Sequence, residues 1–327
     1  MIWLTWRQHR AQALAGLVLI GLAALLFLPY GHAIRSSYTQ HGIGPCLLQD
    51  TGGDHCQSAM NAFMDQFNDI ANHLSTWFSP LPGLIGAIVG ASVLAREYEH
   101  GTWRLAWTQA VPRIRWLTVK ILLVGAGIVA VTAALSAVFT WFRSPVDQVS
   151  GRFAPGAFDL EGLSLTGYTL FAFAVGVLAG LLLRRTVPAI VAAFAAFMAV
   201  RLPVEFWLRQ RYQTPITQVL PPTVNRTMGP RAIPTSPGTP RWVLGQDLVD
   251  KTGHPISAAL ENKISQRPFH GSAEGDAYLR GLGLHLRVVY QPASRFWTFQ
   301  IIEAALFIGL AAVLLCVSVR LLSRRSA

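Results

Sequence analysis

Residues 11–30, 70–95, 121–142 and 162–183 contain no Asp, Glu, Lys or Arg. At 1.5 Å per residue, an uncharged helix of about 20 residues spans the ~30 Å hydrocarbon layer of a bilayer. A chain with four such runs has more continuous apolar surface than a water-soluble fold can cover. Two further runs are interrupted: about 186–208 by Arg201 and Glu205, and about 296–319 by Glu303. The sequence therefore predicts an all-α polytopic membrane protein with six transmembrane helices. Charged residues make up 13% of the 327, against about 25% in soluble domains, which excludes an ordinary soluble enzyme and a disordered chain.

Basic residues set the expected orientation. Arg7, Arg10, Arg96, Arg104, Arg113, Arg115, Lys120, Arg184, Arg185, Arg320, Arg324 and Arg325 all fall on one side of the predicted spans. The short loops opposite carry Arg35, Arg143 and Arg152. The basic side is expected to be cytoplasmic, with both termini inside. The net charge of +11 is thus read as membrane topology, and no nucleic-acid partner is expected. The first apolar run exceeds the 7–15 residues of a signal-peptide core, so it reads as an uncleaved span although Gly31-His32-Ala33 loosely resembles a cleavage site.

The chain divides accordingly. Residues 1–10, with Trp3, Trp6, Arg7 and Arg10, read as a cytoplasmic interfacial helix. Residues 11–208 hold spans one to five, with an outer loop at 31–75 and a cytoplasmic loop at 96–116. Residues 209–295 form an extracytoplasmic segment, and 296–327 the last span and a basic tail. The outer loop is polar and acidic, with Asp50, Asp54, Asp65 and Asp69. Between Pro215 and Pro240 the dense prolines predict irregular chain. Trp242–Leu244 and Leu284–Tyr290 read as short strands, and Thr252-Gly253-His254-Pro255 as a turn. The expectation is a small extracytoplasmic cap with short strands. Cys46 and Cys56 are the cysteines outside the spans and suit a disulfide in an oxidising compartment. The rival is a metal site adding His41, Asp54 or His55; no metal is assigned. Cys316 reads as an apolar packing residue of the sixth span.

No phosphate-binding loop is present: Lys251-Thr252 comes nearest, but Asp250 occupies the position of the second glycine. No H-E-x-x-H occurs among the nine histidines. The cytoplasmic loop is the most informative stretch. Gly101 can stop the second span, and Thr102 can cap a short helix. Trp103 and Trp107, four apart, then share one face, and Pro112 with Arg113 ends it. Such a surface helix suits docking to a partner, or equally anchoring among lipid headgroups.

This stretch resembles the loop of ABC transporter permeases of the type-2 exporter class. Glu97, Glu99, Gly101, Thr102, Arg113 and Lys120 match the family's run of acids, Gly-Thr, amphipathic helix, Arg and Lys. The family's Pro usually stands about three residues before that Arg, whereas Pro112 directly precedes Arg113. The start Trp3-Leu4-Thr5-Trp6-Arg7 is similar to the family's amino-terminal helix, and Tyr290–Trp297 resembles a subgroup from high-GC bacteria. The resemblance implies a permease subunit without its own ATPase, in a bacterial plasma membrane. Its loop, through Glu97, Glu99, Gly101, Thr102, Trp103, Trp107 and Arg113, would couple to a separate ATP-binding subunit. That partner would carry ATP and Mg, and this chain no cofactor. A second permease chain, identical or similar, and a lipid, peptide or hydrophobic-drug cargo are implied as well.

Other residues carry other readings. Gly86 and Gly90, and Gly176 and Gly180, are G-x-x-x-G pairs, suited to packing within the chain or to a dimer seam. Arg201 and Glu303 each lie ~10 Å deep, counted at 1.5 Å per residue, and Glu205 is one turn from Arg201. Because a charge inside a bilayer favours a partner, Arg201 is expected to bridge Glu205 and Glu303. The same three residues would serve a secondary transporter. A membrane enzyme using His254, His270 or His285 is the third reading, without supporting metal or triad spacing.

Overall fold

The computed structural model describes residues 2–48, 54–99, 113–222, 241–267 and 272–324. Among them, six helical stretches are long and apolar enough to cross a membrane: Gln12–Gln40, Ser58–Glu99, Ile114–Ser150, Ser164–Leu183, Thr186–Arg211 and Ala293–Arg324. The protein is a multi-pass membrane protein. The helices outrun the uncharged stretches. α1 runs Ile2–Gln40, and the third span lies in Arg113–Ser150, about 57 Å at 1.5 Å per residue. It therefore protrudes from a ~30 Å hydrocarbon layer.

The predicted outer loop 31–75 is largely helical. After α1 come α2 (Ile43–Leu48) and α3 (Asp54–Phe78). α3 is amphipathic: Phe63, Phe67 and Ala71, at a spacing of four, are buried, while Asp65 and Asp69 face outward. These two acids are thus on the solvent face of a helix. A Cys46–Cys56 disulfide with Cα atoms 5.5 Å apart staples the α2–α3 connection. Closing a loop of this size contributes about 2–3 kcal/mol in the chain-entropy model, and Cys46→Ser is expected to lose that amount. Intact-mass analysis after alkylation without reductant should label neither cysteine. Cys316 is exposed on the apolar face of the last span and is not a packing residue as expected.

α4 (Leu81–Glu99) and α5 (Arg113–Ser150) follow, then the short α6 (Pro155–Leu160), α7 (Ser164–Leu183) and α8 (Thr186–Pro203). α7 is the central helix. Its Gly176 and Gly180 lie against the backbone of Ala87 and Ala91, and Gly86 and Gly90 of α4 against that of Thr169 and Phe173. A Cβ at Gly90 would stand 2.2 Å from the Phe173 carbonyl oxygen. The two G-x-x-x-G pairs therefore face each other within one chain.

Past α8 the helix widens into a π turn, Val204–Leu208, and tightens into a 3-10 turn, Arg209–Arg211. Then come β1 (Ile216–Leu220), β2 (Arg241–Val249), α9 (Ala258–Ser265), α10 (Ser272–Gly281) and β3 (His285–Pro292). The antiparallel sheet has the order β1-β3-β2, with Ile216 opposite Tyr290 and Val249 opposite His285. β1 falls in the stretch expected to be irregular. Pro215 and Pro221 flank it, and as an edge strand it tolerates them. The turn after β2 closes through Asp250 N–H to His254 O, with Gly253 at φ +84°. Leu248, Ile264, Leu279, Leu284, Leu286 and Val288 form the cap's small core. A ring cluster of Phe153, Phe158, Phe296 and Phe299, against Tyr212 and Trp242, seats the cap on the helical bundle. α11 (Phe296–Arg324) then crosses back.

Candidate functional site

At the sheet end of the bundle, five segments bring ionised side chains to one point. Asp159, from α6, and Glu303, from α11, are fully buried. Arg209 lies between them: Nη2 is 2.7 Å from Asp159 Oδ1 and 2.8 Å from Glu303 Oε1, and Nε is 3.0 Å from Glu303 Oε2. Two parallel N–H bonds to one carboxylate are the strong geometry for this pair. The Tyr168 hydroxyl of α7 donates to Glu303 and accepts from Arg209 Nη2 at 2.9 Å. Arg201 pairs with Asp159 and donates to Ser79, which precedes α4. It also pairs with Glu205 at 3.1 Å, and Ser79 donates to Asp159 at 2.9 Å.

A buried ion costs several kcal/mol unless its partners are well placed. Here two guanidiniums serve three carboxylates, so each cation satisfies more than one anion. The consequence is mechanical: α11 cannot leave the 3-10 turn Arg209–Arg211 without breaking the bidentate Arg209–Glu303 bond. Gln300, one turn before Glu303, adds a second tie. Its Oε1 accepts from Leu163 and Ser164 N–H at 3.0 and 2.9 Å, and its Nε2 donates to Phe158 O at 2.8 Å.

The opposite end holds the root of the loop between α4 and α5. Glu97, near the end of α4, meets Lys120 of α5 at 2.5 Å. The Lys120 ammonium also donates to Val93 O at 2.9 Å and is buried. This pairing is why α5 carries Lys120 inside its helix when uncharged chain was expected to begin after it. Glu99 accepts from Thr186 N–H at 3.1 Å and from its hydroxyl at 2.5 Å, capping the first turn of α8. The two acids thus attach the end of α4 to α5 and to α8. Gly101, Thr102, Trp103 and Trp107 lie outside the described residues, which resume where α5 begins at Arg113.

A family model described as ABC-2 membrane transporter related matches residues 16–209. The chain belongs to this family. It is a membrane transport permease. Comparison with curated proteins and with solved structures finds no match. In this ABC-2 related permease the matched region takes in the loop root and most of the ion cluster, up to Arg209. Glu303 and the sheet lie beyond it.

The permease corrects one expected contact. Arg201 reaches Glu205 but not Glu303, whose cationic partner is Arg209. The π turn between the two arginines changes the angular phase of the helix, and it is Arg209 that comes to face α11. Arg209 and Asp159 are not evident as intramembrane charges in the sequence because both sit just outside the apolar runs. The available signal was the excess of carboxylates over Arg201 and the pairing a buried charge requires. His254 Nδ1 contacts the Thr252 hydroxyl in the exposed turn, and His285 lies on β3 opposite Val249. His270 lies outside the described residues. Among the described residues, no group of three or more His, Cys, Asp or Glu could hold a metal ion.

Proposed function

We propose that this permease is the transmembrane subunit of an exporter of the bacterial plasma membrane, driven by a separate ATP-binding protein that docks on residues 100–112. Nucleotide and Mg belong to that partner. Two permease chains work together, with both termini on the partner's side. The observation that carries this reading is the loop root. Because Glu97 is locked to Lys120 and Glu99 to Thr186, a push on the loop moves the ends of α4, α5 and α8 together. A loop that merely anchored in headgroups would have no need of rigid attachment to three spans.

An apolar cavity of about 200 Å³ supports a hydrophobic cargo. It is lined by Leu22, Phe27, Phe78, Leu135, Phe139 and Leu165, among others. That exceeds the ~150 Å³ of an apolar cavity able to hold benzene. Lipid, hydrophobic drug and apolar peptide share this chemistry.

The test is purification of the full chain from its native membrane. An ATP-binding protein should co-purify, and its ATPase should respond to the permease. Gly101→Pro should insert into the membrane normally yet lose both the partner and transport. Normal transport by that variant would make the loop an anchor only. Transport driven by an ion gradient with no ATPase attached would make the protein a secondary transporter.

A further inference from the structure

A second buried charge cluster lies beside the first. Arg143, near the end of α5, is fully buried. Its guanidinium meets Asp147 at 2.9 Å and donates to Ala71 O, Asn72 Oδ1 and Ser75 Oγ of α3 at 3.1, 3.3 and 3.0 Å. Glu161, in the link between α6 and α7, is also fully buried. Its Oε2 meets Arg152 at 2.8 Å. Its Oε1 is buried with no N–H or O–H donor among the described residues, and the carboxylate of Asp147 lies within hydrogen-bonding reach of Glu161. Two carboxylate oxygens cannot satisfy each other, because each only accepts. A single proton placed between them satisfies both.

We propose that Glu161 is a proton-binding site: a carboxylic acid that donates its hydrogen to Asp147 and so ties the end of α5 to the entrance of α7. The surroundings suit this. Burial first, and the Asp147 carboxylate second, hold Glu161 well above the usual carboxylate range, with Arg152 pulling the other way. Among the described residues, the charged groups around the pair are Arg143 and Asp147 from α5, and Arg152 and Asp159 from the segment of Glu161 itself. Asp159 is occupied by Arg201 and Arg209. α3 contributes the neutral Asn72 and Ser75, α7 contributes Tyr168 held on Glu303, and α11 contributes Phe296, Trp297 and Gln300. The Arg152 side chain is 29% exposed, so the cluster reaches solvent there.

The proton has a structural consequence. Arg152 lies over the Phe296 ring at 3.9 Å, at the head of α11. With the proton bound, the chain from Arg143 through Asp147, Glu161 and Arg152 to Phe296 joins spans three, four and six at the sheet end. With the proton lost, two buried carboxylates face each other and the α5 tie opens. A carboxyl whose pKa is raised by folding contributes stability that is present below its unfolded pKa. That stability disappears as pH rises through the raised value. The site therefore makes this end of the bundle firmer in acid and looser as the solution becomes alkaline.

Infrared difference spectroscopy of the purified full-length protein in lipid nanodiscs, titrated with pH, tests this without any assay of transport. Wild type should show the C=O stretch of a protonated buried carboxylic acid, and Glu161→Gln should lack it. Asp147→Asn should move the loss of that band to lower pH, because an amide donor replaces the repelling carboxylate. In parallel, the wild-type melting temperature should fall as pH rises, and Glu161→Gln should flatten that dependence. Persistence of the band in Glu161→Gln would overturn the assignment, as would a wild type without the band at acid pH. A band unmoved by Asp147→Asn would overturn the pairing with Asp147. Failure of the permease to couple to an ATPase would leave these spectra unchanged, so the two readings fail separately.

Discussion

Glu303→Gln is expected to cost about 3–5 kcal/mol of stability, the range for breaking one side of a buried ion pair. Arg209 would keep its charge at a fully buried position and lose a bidentate carboxylate. Arg209→Gln should cost at least as much, since it leaves both Asp159 and Glu303 without their shared cation. The double variant should be markedly less damaging than the sum, with a coupling of about 1–3 kcal/mol between contacting residues. Unfolding of the purified variants in mixed micelles measures all three. Pairing Glu303→Gln with Arg201→Gln should give a smaller coupling, because those residues meet only through Asp159 and Tyr168. Equal couplings in the two cycles would contradict the arrangement around Arg209.

The second large effect is expected at the loop root. Glu97→Ala leaves the Lys120 ammonium, 3% exposed, with the Val93 carbonyl as its remaining acceptor among the described residues. A loss of about 3 kcal/mol follows for a buried charge stripped of its partner. Replacing both residues, as Glu97→Gln with Lys120→Met, removes the charges together and should restore stability to near wild type. If the pair transmits motion from the loop, that stable double variant should still transport at least about tenfold more slowly, the equivalent of ~1.4 kcal/mol in the barrier. A stable double variant with full transport would reduce Glu97–Lys120 to a structural staple. Reconstitution with the ATPase, scored for both transport and thermal stability, separates the two.

Four of the six spans could be read from the chain as uncharged runs of about 20 residues, and the other two as apolar runs interrupted by Arg201 and Glu205 or by Glu303; apolar character over such a length is a local property, and lipid imposes the helix on it whatever the neighbours are. The G-x-x-x-G pairs, the cysteines at a separation of ten and the strands at 242 and 284 were visible for the same reason: each is set by residues close in sequence. Tertiary structure decided where charges meet. Asp159 lies between spans, Arg209 lies beyond the end of an apolar run, and Glu303 is 94 residues further on. Their meeting depends on a π turn whose phase no local pattern encodes. It also decided that Glu97 belongs to Lys120 and that Gly90 packs on Phe173. β1 likewise forms only because β3, from the far end of the cap, supplies the hydrogen bonds its own proline-bounded segment lacks. Hydrophobicity and helix formation act over a few residues of chain and survive translation into sequence patterns. Ion pairing and backbone contact act over a few ångströms of space, which the fold alone brings about.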